Sequence, residues 1–313
     1  MIIDKVTIYL RSGRGGEGSS NIMKLSSRKV LPSGGAGGKG GDVILKVSPH
    51  LYDLSKFKGD KKFIASDGEK GRAGHKNGKD AQDSIVNVPS GTRVWAGGVV
   101  PLGKDNRVIA DLVGEGAEFL ACKGGRGGKG NYKRAYLIPA QGYQEKEVTL
   151  DYHIPNDVAI LGFANSGKTS LFNALTGQKR KVAEYAFTTT SCFWANSDYE
   201  FERFVVLDTP PFKKNKDSSN LTENTFLRHI FRSKILLLLS DKASFEEDYK
   251  ELEKEIALYE SSLLETKKIF YLLTKVDTID KKNTKKKIWA VSINKPETIK
   301  ALREKIFKGL DDL

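Results

Sequence analysis

The placement of glycine constrains this chain more than any other feature. Of 31 glycines in 313 residues, 27 fall in residues 1–155 and four in residues 156–313. They form tight clusters at Gly13–Gly18 (GRGGEG), Gly34–Gly41 (GGAGGKGG) and Gly124–Gly130 (GGRGGKG), with a looser run at Gly68–Gly78. Within Gly34–Gly41 they make two interleaved series of period three: Gly34, Gly37, Gly40 and Gly35, Gly38, Gly41. Polyproline II has three residues per turn, so each series lines one edge of such a helix, and a glycine edge lets another backbone come close. The expected product is a bundle of short left-handed helices packed edge to edge. A flexible linker is the other reading of glycine-rich sequence. It fits poorly, because strand-like segments flank the clusters: Lys5–Leu10, Asp42–Val47, Ser84–Val88, Thr92–Trp95, Val108–Leu112 and Phe119–Cys122.

Cations sit between the glycines. The first 155 residues carry a net charge of +9 out of the chain's +13. Arg11, Arg14, Lys39, Arg72, Lys76, Lys79, Arg126 and Lys129 are the candidate nucleic-acid contacts, since rigid loops tipped with cations suit a phosphate backbone. A solvated basic surface without a partner is the plain alternative. Aromatic residues near the tips are sparse (Tyr132, Tyr136). Stacking on a single strand is therefore poorly supported, and folded RNA read by shape and phosphates fits better.

The drop in glycine and in charge sets a boundary near Asp151–Asp157, punctuated by Pro155, giving expected domains 1–155 and 156–313. No apolar run approaches 18 residues, which excludes a helical membrane span. Cys122 and Cys192 have no partner spacing, so neither a disulfide framework nor a zinc site is expected. The start, MIIDKVTIYL, reads as a strand rather than a secretion signal or transit peptide.

The second part carries nucleotide chemistry. A short apolar strand, Val158–Leu161, leads into GFANSGKT (Gly162–Thr169) and then into a helix expected to end at Gly177. Strand, G-x-x-x-x-G-K-[ST] and helix form the phosphate-loop signature in its required context. Gly162 and Gly167 let the backbone curl so that its amides face phosphate oxygens. Lys168 neutralises the β- and γ-phosphates, Thr169 offers a hydroxyl to Mg²⁺, and the helix N-terminus adds its dipole. Asn165, Ser166 and Ser170 complete the loop set. FVVLD (Phe204–Asp208) is a buried strand that ends in an acid placed to hold Mg²⁺. Two more apolar strands, Ile235–Leu239 and Ile269–Leu273, follow. After the second comes TKVD, Thr274–Asp277, in which Asp277 suits the two N–H donors of a guanine edge and Lys275 lies against the ring. The strand Ile288–Val291 is followed by Ser292 and Ile293, whose backbone is placed to contact the guanine carbonyl oxygen. Helical segments Phe245–Leu264 and Pro296–Leu310 alternate with these strands. A doubly wound α/β domain binding GTP or GDP with Mg²⁺ is expected, with the ligand at the strand C-termini.

Taken together, these residues resemble the Obg family of ribosome-assembly GTPases over essentially the whole chain. The stretches that carry the resemblance are MIIDKVTIYLRSGRGGEG, GGAGGKGGDVILKV, VPSGTRV and KGGRGGKGN in the first part, and GFANSGKTSLFNAL, AEYAFTT and FLRHI in the second. The resemblance implies a glycine-rich domain of polyproline-type helices on a small β-barrel-like base, followed by a P-loop GTPase domain. It implies docking on the rRNA of the maturing large ribosomal subunit, alongside other assembly factors, as a monomer. By the same resemblance Asn165 is similar to the asparagine that holds K⁺ in related GTPases, Thr189 is similar to the switch threonine on Mg²⁺, and Phe212 stands where the family has a hydrophobic residue in place of a water-orienting Gln. Cytoplasmic, ribosome-associated placement is expected, or the mitochondrial matrix or plastid stroma if a presequence is missing.

Two departures stand out. The family's D-x-P-G reads Asp208-Thr209-Pro210-Pro211, and proline has no N–H to give the γ-phosphate. The segment that follows, PFKKNKDSSNLTEN, lacks glycine. The sequence ends at Leu313, just after the last expected helix, so no additional C-terminal domain is expected. Two functions remain open at this point. One is a slow or particle-stimulated GTPase of large-subunit assembly, with Lys168, Thr189 and Asn165 as the catalytic set and no strong general base. The other is a GTP-binding placeholder on the pre-ribosome that hydrolyses little or nothing because of Pro211. A weaker third idea is a nucleotide-independent RNA-binding protein.

Overall fold

The computed structural model describes residues 4–26, 29–59, 61–97, 107–133, 136–178, 192–199, 202–212, 226–241, 245–275 and 288–312. Thr189 and Asp277 lie outside them. Contacts divide the chain after Tyr152 into two compact units.

The first unit joins a small β base to a glycine bundle. Its strands are β1 (Lys5–Arg11), β2 (Ile22–Ser26), β3 (Lys29–Pro32), β4 (Val43–Val47), β5 (Lys62–Ile64), β6 (Ser84–Val88), β7 (Thr92–Ala96), β8 (Val108–Leu112), β9 (Glu118–Cys122) and β10 (Glu145–Tyr152). They form a five-stranded sheet β5-β1-β10-β7-β8, a three-stranded sheet β6-β4-β9 and the separate ribbon β2-β3. Period-two alternation buries Val6, Ile8 and Leu10 of β1 and Val43, Leu45 and Val47 of β4. Each such side chain contributes about 1.5–3 kcal/mol by leaving water.

The bundle is built on a period of three, seen most clearly along residues 35–42. The amides of Gly35, Gly38 and Gly41 donate to the carbonyls of Arg72, Glu69 and Ser66, at 2.9, 2.9 and 3.0 Å. Those of Gly37 and Gly40 donate to Gly128 and Gly125, at 2.8 and 2.9 Å. The third edge is served by side chains: Ala36, Lys39 and Asp42 donate to Oδ1 of Asn77, Asp80 and Asp83, at 2.9, 2.5 and 2.7 Å. Each amide from 35 to 42 thus has an acceptor, as buried backbone requires. Glycine is obligatory where backbones meet. A Cβ on Gly37 would lie 1.9 Å from the Gly16 carbonyl oxygen, and one on Gly124 1.9 Å from that of Gly40. The bundle expected from the sequence is present, and Asp80 and Asp83 are part of its bonding.

The second unit contains β11 (Val158–Gly162), α1 (Lys168–Thr176), β12 (Phe193–Tyr199), β13 (Glu202–Asp208), α2 (Leu227–Ile230), β14 (Ile235–Ser240), α3 (Phe245–Tyr259), α4 (Ser262–Thr266), β15 (Lys268–Thr274), β16 (Ile288–Val291) and α5 (Pro296–Asp311). Its sheet runs β12-β13-β11-β14-β15-β16, with only the edge strand β12 antiparallel. β11 and β14 are buried at every position, as parallel strands covered on both faces must be. The strand order reverses on either side of β11, so the phosphate loop that follows β11 sits at the topological switch point, where doubly wound sheets hold ligands. The single helix expected over Phe245–Leu264 is instead two, α3 and α4. The Glu260 amide closes on Ile256 at 2.9 Å, and the chain turns before α4.

Candidate functional site

The phosphate loop is fixed from both ends. Gly162 closes β11 with no space for a side chain: a Cβ there would meet Ser166 Oγ at 2.6 Å and the Leu239 carbonyl oxygen at 2.8 Å. Gly167 caps α1 in the left-handed region at φ 85°, which glycine adopts without strain. Asn165 also lies in the left-handed region, at φ 64°, which Asn adopts more readily than other side-chain-bearing residues. The loop, β13 and the end of β15 enclose a cavity of about 690 Å³ lined by Asn165, Lys168, Thr169, Asp208, Pro211 and Lys275 among others. Gly167 and Ser170 also line it, as does Phe193 on β12, a residue the sequence did not single out.

Lys168 is buried, and its ammonium donates to the Phe163 carbonyl at 2.6 Å. Burial pushes its pKa below the ordinary lysine value, while Asp208 and Asp241 pull it back up. Thr169 Oγ1 donates to Asp208 Oδ2 at 2.9 Å, and Asp208 is buried. A hydroxyl and a carboxylate converging beside the lysine form the hard oxygen donor set that Mg²⁺ takes, with waters and phosphate oxygens for the rest. Thr169 and Asp208 therefore fit the metal.

The end of β15 is tied to the phosphate loop. Thr274 Oγ1 donates to the Ser166 carbonyl at 2.8 Å and approaches that of Ser240 at 3.3 Å. Lys275 Nζ donates to the Asn165 carbonyl at 2.9 Å and to Asp241 Oδ2 at 2.6 Å. Thr274 thus braces the loop through its hydroxyl. Asp241 was missed from sequence because it follows a strand without any motif around it. Ser292 and Ile293 do not line the same cavity. The Ser292 backbone bonds to Thr298 Oγ1 at the start of α5. Ile293 borders a separate hollow of about 700 Å³ with Tyr199, Lys300 and Arg303.

After Asp208 the chain runs along β11. Thr209 Oγ1 donates to the Ile160 carbonyl at 2.7 Å, and the Phe212 amide donates to the Gly162 carbonyl at 3.1 Å. The Phe212 ring is buried edge-on against Phe226, with centroids 5.2 Å apart, and faces Phe163 at 6.4 Å. Pro211 has no N–H, and the next amide is already bonded away from the cavity.

Comparison with known proteins decides the family. The GTP1/OBG family matches residues 3–145, and the family described as 50S ribosome-binding GTPase matches residues 157–275. The GTPase Obg of Aquifex aeolicus is 32% identical, covering 99% of this chain and 96% of that protein. The chain belongs to the Obg GTPase family. The GTPase Obg of Thermodesulfovibrio yellowstonii is 36% identical over 88% of this chain and 84% of its own length, and that of Bdellovibrio bacteriovorus 33% over 98% and 94%. Among solved structures, the cytosolic domain of the T. maritima FeoB iron transporter is 24% identical and covers 50% of this chain and 64% of that one, with a TM-score of 0.37. Membership of the Obg family makes this a GTP-binding chain, with GTP or GDP as its nucleotide and Mg²⁺ the usual metal.

In this Obg chain the basic residues of the first unit are not equivalent. Lys39 pairs with Asp42 at 2.7 Å, and that hydrogen bond holds its pKa above the ordinary value. Arg72 pairs with Glu69 at 3.6 Å. The guanidinium groups of Arg11 and Arg14 sit over the Tyr143 ring, 4.9 and 4.8 Å from its centroid. Lys76, Lys79, Arg126 and Lys129 are exposed and make no ion pair among the described residues. No described helix is long and apolar enough to cross a membrane.

Proposed function

We propose that this Obg GTPase hydrolyses GTP slowly as an assembly factor of the large ribosomal subunit, docking through the glycine-rich domain on rRNA. The observation that carries the reading is the Lys168, Thr169 and Asp208 cluster at the switch point of a GTPase sheet, in one chain with a hydrogen-bonded bundle that exposes Lys76, Lys79, Arg126 and Lys129. The division falls near residue 155, the first part docking and the second binding nucleotide. Loop amides and Lys168 hold the phosphates, and Lys275 and Asp277 read guanine. Thr169, Asp208 and Thr189 would hold Mg²⁺, which when bound neutralises charge on the β- and γ-phosphates. Asn165 lines the cavity and offers a carboxamide oxygen of the kind that K⁺ takes. GTP raises affinity for the particle, and hydrolysis releases it. A cytoplasmic, ribosome-associated monomer follows from this role, or an organellar one if a presequence has been lost.

A second reading, a GTP-bound placeholder with little or no turnover, is favoured by one observation: neither Pro211 nor Phe212 has an amide to offer a γ-phosphate. Phosphate release measured in K⁺ and in Na⁺, with and without large subunits, separates the two. Tight GTP binding with no release under any condition rejects the first.

A further inference from the structure

We propose that His75 and Tyr132 form a stacking platform for one unpaired nucleobase of the RNA that the glycine-rich domain binds. This rests on the RNA-docking reading above and adds to it a contact with a base, where phosphates alone were expected. The two rings come from different turns of the bundle. Their centroids are 3.9 Å apart with planes at 48°, and both residues are exposed, Tyr132 at 43%. Lys133 Nζ lies 5.3 Å from the centroid of the Tyr132 ring.

Both turns are held in costly backbone conformations. His75 has φ 62° and Lys133 has φ 55°, in the left-handed region that non-glycine residues rarely adopt. Such strain persists only where the surroundings enforce it. Here they do. The His75 amide donates to the Ser33 carbonyl at 2.7 Å. Asn131 accepts from the Gly34 amide at 2.8 Å and donates to the Ser20 carbonyl at 2.9 Å. Two turns are thereby fastened to one glycine helix so that an imidazole and a phenol meet in solvent. A ring pair placed for stability would be buried, whereas both of these residues are exposed, with the Lys133 ammonium lying over the Tyr132 ring.

The surrounding charge indicates the occupant. Lys76 and Lys133 adjoin the pair in sequence, Lys129 stands three residues before Tyr132, and all three are exposed. Of the bundle's acids, Asp67, Asp80 and Asp83 accept backbone amides, and Glu17 and Glu69 pair with Lys70 and Arg72. A π-face flanked by cations matches a base flanked by phosphates. Proteins bind unpaired RNA bases on such rings, and stacking tolerates any base.

The test uses the full chain and a hairpin RNA with 2-aminopurine in its loop, beside the same sequence fully paired. Wild-type protein should quench the loop fluorophore and prefer the hairpin. Tyr132→Ala should lose the quenching and bind the hairpin roughly 10-fold more weakly, with its salt dependence unchanged. Tyr132→Phe should behave as wild type. His75→Asn keeps a residue that tolerates the left-handed backbone, and should weaken binding in the same direction. Lys129→Ala should keep the quenching and lower the salt slope by about one. Hairpin binding that is indifferent to Tyr132→Ala overturns this inference and leaves RNA docking standing. The same holds for equal binding to both RNAs without quenching. If Tyr132→Ala loses particle binding while both RNAs bind unchanged, the site faces a protein and the inference fails. Failure of the wild type to bind either RNA at low salt contradicts both the inference and the reading beneath it.

Discussion

The Phe212 amide donates to the Gly162 carbonyl at 3.1 Å, joining the segment after β13 to the strand that feeds the phosphate loop. Together with Pro211, this leaves two successive positions without a donor for the γ-phosphate. Pro211→Gly restores one N–H, and a charge-assisted hydrogen bond is worth about 1.5–3 kcal/mol. Single-turnover GTP hydrolysis should therefore rise by about 10- to 100-fold, with GDP affinity little changed. No increase would show that Pro211 is not what limits turnover.

Thr274→Val keeps the shape of the side chain and removes the donor to the Ser166 carbonyl. Because the loop serves both nucleotides, GTP and GDP should weaken alike, by about 5- to 30-fold for about 1–2 kcal/mol. Equilibrium titration with both nucleotides checks this. A loss confined to GTP would contradict a bracing role.

The pKa of Lys168 is lowered by burial in the nucleotide-free protein, and bound phosphates raise it again. Above its lowered value the free protein holds Lys168 neutral, so binding must take up a proton. Below that value the lysine is already charged and no uptake occurs. On the alkaline side, approaching the ordinary value of 10.5, GTP affinity should fall as pH rises. Calorimetry in buffers of different ionisation enthalpy should record the proton. Binding without uptake across that range would remove Lys168 from the phosphate contact.

Gly37→Ala places a Cβ 1.9 Å from a backbone carbonyl oxygen that cannot rotate away, whereas Gly142→Ala meets nothing within 4 Å. The first should cost about 3–5 kcal/mol and the second less than about 0.5 kcal/mol. Thermal unfolding of the two variants gives the comparison. Equal midpoints would contradict edge-to-edge packing.

The period of three was legible in Gly34–Gly41 because only glycine lets three neighbours approach one helix. The partners of its third edge were not, since Asn77, Asp80 and Asp83 read as ordinary polar residues until the fold brings them to amides 41 positions away. Counting charges likewise could not tell Lys39, bonded to Asp42, from the open Lys129. The ribbon β2-β3 escaped because its strands, exposed at each position, carry no alternation. The site was legible wherever a motif reports backbone geometry, as at Gly162 and Gly167. It was not legible where one side chain braces another, as Asp241 does for Lys275. His75 went uncounted among the aromatics, and only the fold sets it against Tyr132.

In the proposed function, nucleotide bound at Lys168 governs engagement with an immature large ribosomal subunit. Cosedimentation of the full chain with such particles tests it most directly, using a non-hydrolysable GTP analogue, GDP and no nucleotide in parallel. The analogue should give the greatest particle-bound fraction, and Lys168→Ala should abolish the difference. Equal cosedimentation under all three conditions, or none under any, would contradict the account.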